Sequence, residues 1–262
     1  MRQKIYQIDA FTDKIFRGNP AAVCPLEAWL PDELMQNIAK ENNLAETAFY
    51  VPTGEEYLIR WFTPRVEVDL CGHATLAAAY VLFNLEKHAG PAIRFYSPRS
   101  GELTVTRHDD LLSLNFPSDT ARKEEISFAL SSAFNIVPLE ILKGKTDYLY
   151  LFENEEQIRR IIPHLDCISD LDARGVIITA KGNEVDFVSR FFAPQVGVNE
   201  DPVTSSAHTL LTPFWAKRLG KTHLTALQLS DRQGQLSCTY LHDRVEISGQ
   251  ARHYLTGEIF VD

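Results

Sequence analysis

The stretch Val68-Asp69-Leu70-Cys71-Gly72-His73-Ala74-Thr75-Leu76-Ala77-Ala78-Ala79-Tyr80-Val81-Leu82-Phe83 reads as a loop that opens a helix at Gly72. From Ala74 to Leu82 the helix is apolar all round, and a helix without a polar face has to be buried on every side. The segments around it are mostly short strands, so the expected unit is a set of strands wrapped around one central helix. That makes the fold class α+β.

The pattern occurs twice. Phe62-Thr63-Pro64, Val66, Val68, Asp69 and Cys71-Gly72-His73-Ala74 are followed, about half the chain later, by Phe192-Ala193-Pro194, Val196, Val198, Asp201 and Thr204-Ser205-Ser206-Ala207. A repeat at half length points to two similar lobes, because a solenoid has a much shorter period. The lobes are placed at residues 1–118 and 119–262, with the boundary near 117–124, where strands give way to Pro, Ser, Asp and Thr. The second helix carries Pro213. An interior proline removes a backbone hydrogen bond, so a kink or break is expected there.

Strands are expected at 4–10, 47–51, 57–63, 92–97, 102–107 and 111–116 in the first lobe, from alternation and β-branched or aromatic content. In the second they are expected at 148–152, 176–180, 185–192, 224–229, 235–240 and 245–248. A helix begins at Pro31 with Leu34, Ile38 and Ala39 on one face. Residues 127–134 and 155–162 read as surface helices.

With 262 residues, 45% of them hydrophobic and 23% charged, a substantial core is available. The net charge of -9, without a basic cluster, disfavours nucleic acid and anionic membranes as partners. The four cysteines, Cys24, Cys71, Cys167 and Cys238, have no metal-ligand or disulfide spacing, which suits a reducing cytoplasm. Residues 1–11 read as a strand rather than a signal peptide. The longest apolar stretch, 74–83, is about half a membrane span.

The chemistry is sought at the helix starts. Cys71-Gly72-His73 and Thr204-Ser205-Ser206 each set small residues where backbone N–H groups lack helical partners and the dipole is positive, which suits a carboxylate or phosphate. Plain capping by Thr204 or Ser205 is the structural alternative. Glu46 stands in Asn43-Leu44-Ala45-Glu46-Thr47-Ala48-Phe49 at the entrance to a strand. Apolar surroundings disfavour an ionised carboxylate and so suit a general acid/base; a solvent-facing strand residue is the alternative. His73 is a proton shuttle or a capping residue. Asp201, before a proline, is a turn opener or a substrate contact; at Asp69 the turn role is favoured. Cys71 would be a thiolate base at a helix start, but its counterpart is Thr204, so a symmetric two-thiol racemase site is absent. No dinucleotide, phosphate-loop, nucleophile-elbow or zinc-helix motif occurs, and the eight histidines lack metal spacing. No metal and no cofactor are expected.

Gly18-Asn19-Pro20-Ala21-Ala22-Val23, the block around Glu46, Trp61-Phe62-Thr63-Pro64, the block from Val68 to Thr75, and Asn199-Glu200-Asp201-Pro202-Val203-Thr204-Ser205-Ser206-Ala207-His208 together resemble the PhzF-like family over essentially the whole chain. The resemblance implies a diaminopimelate epimerase-like fold of two pseudo-symmetric lobes, each a β-barrel-like roll around a central helix, with the active site in the cleft between them. It also implies a metal- and cofactor-independent isomerase, usually a homodimer, acting on a small carboxylate-bearing substrate. Glu46, His73 and Asp201 take the catalytic positions, and Gly72, Ser205, Ser206 and Asn19 the substrate-binding ones. Where the family usually carries Gly before its Ser, this chain has Ser205, which bears on substrate identity. Two rival expectations are a Cys71-dependent amino-acid racemase or epimerase, and a non-catalytic small-molecule-binding member.

Overall fold

The computed structural model describes residues 1–261, and two compact units emerge. Among the described residues, the first comprises 1–115 and 248–261, the second 116–247.

The first unit begins with β1 (Arg2–Ala10), β2 (Asn19–Pro25), α1 (Asp32–Asn42), β3 (Glu46–Thr53) and β4 (Glu56–Phe62). A short β5 (Glu67–Val68), α2 (Gly72–Tyr80), β6 (Ala92–Ser97), β7 (Gly101–His108) and β8 (Leu111–Pro117) follow. Helix α1 has Pro31 as its N-cap residue, Asp32 and Glu33 in its first turn and Lys40 in its last, as the helix dipole favours. Asn43 ends it in the left-handed region, with its N–H on the Ala39 carbonyl. Its inner face, Met35, Ile38 and Ala39, joins Phe49, Phe62 and Leu26 in one core cluster. Helix α2 is buried from Gly72 to Ala79 and packs on β1, β2, β3 and β7. It runs into a π-helical turn at Val81–Leu85 rather than staying α-helical to Phe83.

The second unit holds β9 (Arg122–Glu124), α3 (Phe128–Ser131), β10 (Glu140–Lys143), β11 (Asp147–Leu151), α4 (Glu155–Arg160) and α5 (Leu165–Ser169). It continues with β12 (Gly175–Lys181), β13 (Phe187–Phe192), α6 (Ser205–Leu219), β14 (His223–Gln228), β15 (Gly234–Tyr240) and β16 (Arg244–Gly249). Its core gathers Tyr150, Phe152, Ile158, Ile178 and Phe192.

The repeat seen in sequence returns as a repeat of pairings. In the first unit β2 runs parallel to β3 across α1, β3 is antiparallel to β4, β4 is parallel to β6 across α2, and β6 is antiparallel to β7. In the second, β11 runs parallel to β12 across α4 and α5, β12 is antiparallel to β13, β13 is parallel to β14 across α6, and β14 is antiparallel to β15. Each parallel pair needs a crossover, and the buried helix is the crossover of the second pair in each unit.

One expectation is corrected and another is narrowed. The span 119–262 does not stay together: the last strand, β17 (Ala251–Phe260), pairs antiparallel with β1 and belongs to the first unit. Its partner lies at the opposite end of the chain, and pairing over that separation leaves no local trace. Helix α6 also runs through Pro213 without a break. The carbonyl that a residue other than proline at 213 would engage belongs to Thr209, and it accepts the Asp119 N–H at 3.1 Å instead.

Candidate functional site

Four of the expected residues meet in the first unit. Asn19 opens β2 directly after Gly18, whose φ is 64°. A Cβ at Gly18 would lie 2.1 Å from the Ala10 carbonyl oxygen, so only glycine lets the chain enter β2 at this angle. Glu46 opens β3, and the parallel register sets it beside Ala21, close to Asn19. His73 is the second residue of α2, and Cys71 is its N-cap residue.

The His73 ring is met on both edges. Asn19 Nδ2 lies 3.2 Å and Cys71 Sγ 3.5 Å from Nδ1, while Glu46 Oε2 lies 3.1 Å from Nε2. Although close, the last two atoms lack hydrogen-bond alignment, so both are buried polar atoms without a hydrogen-bond partner. Native interiors hold few such atoms, and those that exist need a reason. His73 is 5% exposed. Burial works to strip its proton, but the Cys71 sulfur and the Glu46 carboxylate outweigh burial and hold its pKa well above the ordinary value. Burial and the Glu46 charge push the Cys71 thiol up to about 11. At neutral pH that sulfur stays mostly protonated.

Glu46, Cys71 and His73 bring three ligand atoms within 4.8 Å of one another. The carboxylate faces Nε2 and the thiol faces Nδ1, on opposite edges of the ring.

The remaining candidates lie in the second unit. Thr204 is the N-cap residue of α6, but its side chain does not cap the helix. Its hydroxyl donates to Asp201 Oδ2 at 2.5 Å. Ser205 is buried, and the Ser206 hydroxyl accepts from Arg174 Nη2 at 3.1 Å. Arg174 in turn donates from Nε to Asp147 Oδ1 at 2.9 Å. Neither α2 nor α6 has a side-chain cap at its start, so plain capping by Thr204 or Ser205 does not account for these sequences. Gly72 begins α2 and is buried. Asp69 stands apart from these groups, exposed and paired with Arg99 at 3.1 Å.

Sequence reasoning missed Arg174 and Gln228. The Gln228 side chain binds both Thr204 and the Asp201 carbonyl. Both reach the helix start across more than twenty residues, and neither sits in a motif that would single it out.

The family model for phenazine biosynthesis-like proteins (PhzC-PhzF) matches residues 8–257. The chain belongs to this family. A relative named an uncharacterized isomerase, from Pseudomonas aeruginosa, is 51% identical over 259 residues, covering 99% of each chain. The crystal structure of a PhzF-family protein from Enterococcus faecalis superposes with a TM-score of 0.97 at 45% identity, covering 100% of both chains. A probable proline racemase from Agrobacterium radiobacter shares the fold alone, with a TM-score of 0.65 at 7% identity over 99% of this chain and 93% of its own. The α+β, epimerase-like fold expected from sequence is thus the fold of this PhzF-family member. Among the described residues no helix is long and apolar enough to cross a membrane.

Proposed function

We propose that the chain is a cofactor-independent isomerase that moves a proton on a small carboxylate-bearing substrate, with Glu46 as the general acid/base. The observation that carries this reading is the buried pair Glu46 Oε2 and His73 Nε2, side by side and without hydrogen-bond partners. Two polar atoms left open in a buried place await a third group, and a reacting substrate supplies it. The names of relatives agree, since the Pseudomonas protein is called an isomerase.

In this mechanism the Glu46 carboxylate accepts a proton from an acidified carbon of the substrate. The electron pair of that C–H bond passes into the adjoining unsaturated system, and Glu46 returns the proton to a second carbon. The product is an isomer, and the enzyme ends as it began. His73, held as imidazolium, donates to the polar group on which negative charge develops. By the family resemblance, Asp201 and Ser206 orient the substrate's other polar groups. The uncapped start of α2, at Gly72-His73, offers backbone donors to its carboxylate, with Asn19 bracing His73. Serine at 205, with its hydroxymethyl group, narrows the choice of anion.

A Cys71 base is disfavoured, because a thiol pushed up to about 11 is almost wholly protonated at neutral pH. The cysteine spacing supports a cytoplasmic location and the family resemblance a homodimer, and light scattering of the purified protein tests the dimer directly.

The deciding experiment is proton NMR in D2O with a panel of small carboxylates, including dihydro-3-hydroxyanthranilate, comparing wild type with Glu46→Gln. Isomerisation or deuterium uptake that falls by about 10²–10⁴-fold in the variant is expected for a lost general acid/base. Full activity in Glu46→Gln would overturn the assignment. Tight ligand binding without exchange would favour a non-catalytic binding member.

A further inference from the structure

Gln228 ends β14 and is wholly buried. A primary amide has one acceptor oxygen and two N–H donors, and here all are used. Its Oε1 accepts the Thr204 backbone N–H at 2.8 Å. Its Nε2 donates to the Asp201 carbonyl at 2.8 Å and to Thr204 Oγ1 at 3.1 Å.

These contacts fix the direction of every proton in the chain. A backbone N–H only donates, so the side facing Thr204 N has to be the amide oxygen, and the amide cannot flip. The NH2 side therefore faces Thr204 Oγ1 and occupies it as an acceptor. A hydroxyl that accepts from Gln228 has its single hydrogen left to donate, and the atom that receives it is Asp201 Oδ2, at 2.5 Å. The Asp201 N–H, meanwhile, is held by the Phe191 carbonyl at 3.0 Å, and the Pro202 carbonyl by the Ser230 hydroxyl at 2.8 Å. The neighbouring Glu200 is engaged by Arg190 of β13, at 2.7 and 2.9 Å, and does not compete for Thr204.

We infer that Gln228 and Thr204 are positioning residues, forming a one-way hydrogen-bond chain that keeps Asp201 as a carboxylate in a single orientation. The inference rests on the reading in which Asp201 meets the substrate. It adds that this aspartate enters the reaction as the charged, proton-accepting form. It also gives Thr204 a purpose other than that of a capping residue.

The test needs no substrate. The side-chain carboxyl of Asp201 is followed by carbon-13 NMR through a pH titration, with its signal assigned by its absence in Asp201→Asn. A donor to the charged form favours that form, so Thr204→Val should titrate about one pH unit higher than wild type, since a hydrogen bond to a charged group and a unit of pKa are of similar size. Thr204→Ser, which restores the hydroxyl, should return to the wild-type value. Gln228→Met, which frees the hydroxyl to turn, should move Asp201 in the same direction as Thr204→Val. If Thr204→Val does not fold, Thr204→Ala is titrated in its place with the same expectation. An unchanged Asp201 titration in the hydroxyl-less variant overturns the inference, as does a shift that Thr204→Ser fails to reverse. Failure of the isomerase reading shows separately, as absence of Glu46-dependent exchange in D2O while the titration still shifts.

Discussion

Glu46 Oε2 and His73 Nε2 lie 3.1 Å apart, a strand start against a helix start, in contact but out of hydrogen-bond alignment. Burial alone would leave His73 neutral, and the Cys71 sulfur and the Glu46 carboxylate together reverse the outcome.

Removing that carboxylate should therefore weaken the hold on the histidine's proton. In Glu46→Gln the pKa of His73 is expected to fall, because one of the two groups opposing desolvation of the imidazolium is gone. Nitrogen-15 NMR of the imidazole reads this directly. An unchanged His73 titration in the variant would show that another group holds the proton.

Cys71 should be chemically quiet. A thiol pushed up to about 11 exposes roughly one ten-thousandth of its population as thiolate at pH 7. Cys24 and Cys238 are buried and also raised, whereas Cys167 is partly exposed. Iodoacetamide on the native protein is expected to label Cys167 alone, and all four cysteines after urea. Rapid labelling of Cys71 in the native state would restore the thiolate-base reading.

His208 should make the protein acid-sensitive. Burial lowers its pKa from 6.5 to about 4, while its Nδ1 stays 2.8 Å from the Thr204 carbonyl oxygen. The unfolded chain binds this proton below pH 6.5 and the folded chain only near pH 4. Stability is therefore full above 6.5, falls as pH drops through that window and levels off below it. A depression of this size corresponds to roughly 3 kcal/mol. Urea midpoints between pH 7 and 4 should show the loss, and His208→Gln should flatten it. An unchanged slope in that variant would assign the acid sensitivity elsewhere.

Gly18→Ala should be among the most damaging single changes. The added Cβ meets the Ala10 carbonyl at 2.1 Å and Thr12 Cγ2 at 2.8 Å in a left-handed backbone. A cost of at least about 2 kcal/mol is expected from strain at such a site. Asn19 moves with it, so the His73 contact should loosen as well. Thermal unfolding gives the first quantity and the His73 nitrogen shifts the second. A variant as stable as wild type would mean that the β1–β2 connection adapts.

Much of the fold was legible because side chains repeat what the backbone does. Ala92–Ser97 alternates and forms β6 over the same residues, and the run of alanines in α2 required burial. Strand β2 was hidden because Gly18-Asn19-Pro20 reads as a turn; its Pro20 sits opposite Asp9 of β1. Strand β17 was hidden because most of its side chains are at least partly exposed and its partner is the other end of the chain. In the site, the neighbourhood of Glu46 and His73 could be read from their motifs, as could the helix starts. Gln228 and Arg174 could not, since a glutamine closing an otherwise ordinary strand looks the same whether it faces solvent or holds a buried turn.

The pairing of β1 with β17 also carries a consequence for biosynthesis. A ribosome adds about 5–20 residues per second, so the earliest strand waits on the order of ten seconds or longer for its last neighbour. During that interval the whole of the second unit has been made, while one flank of β1 still offers unpaired N–H and C=O groups. Such a flank is open to pairing with other nascent chains. The first part to be synthesised is thus among the last to be completed, and the vulnerable species in the cell is a chain whose second half is ready before its first.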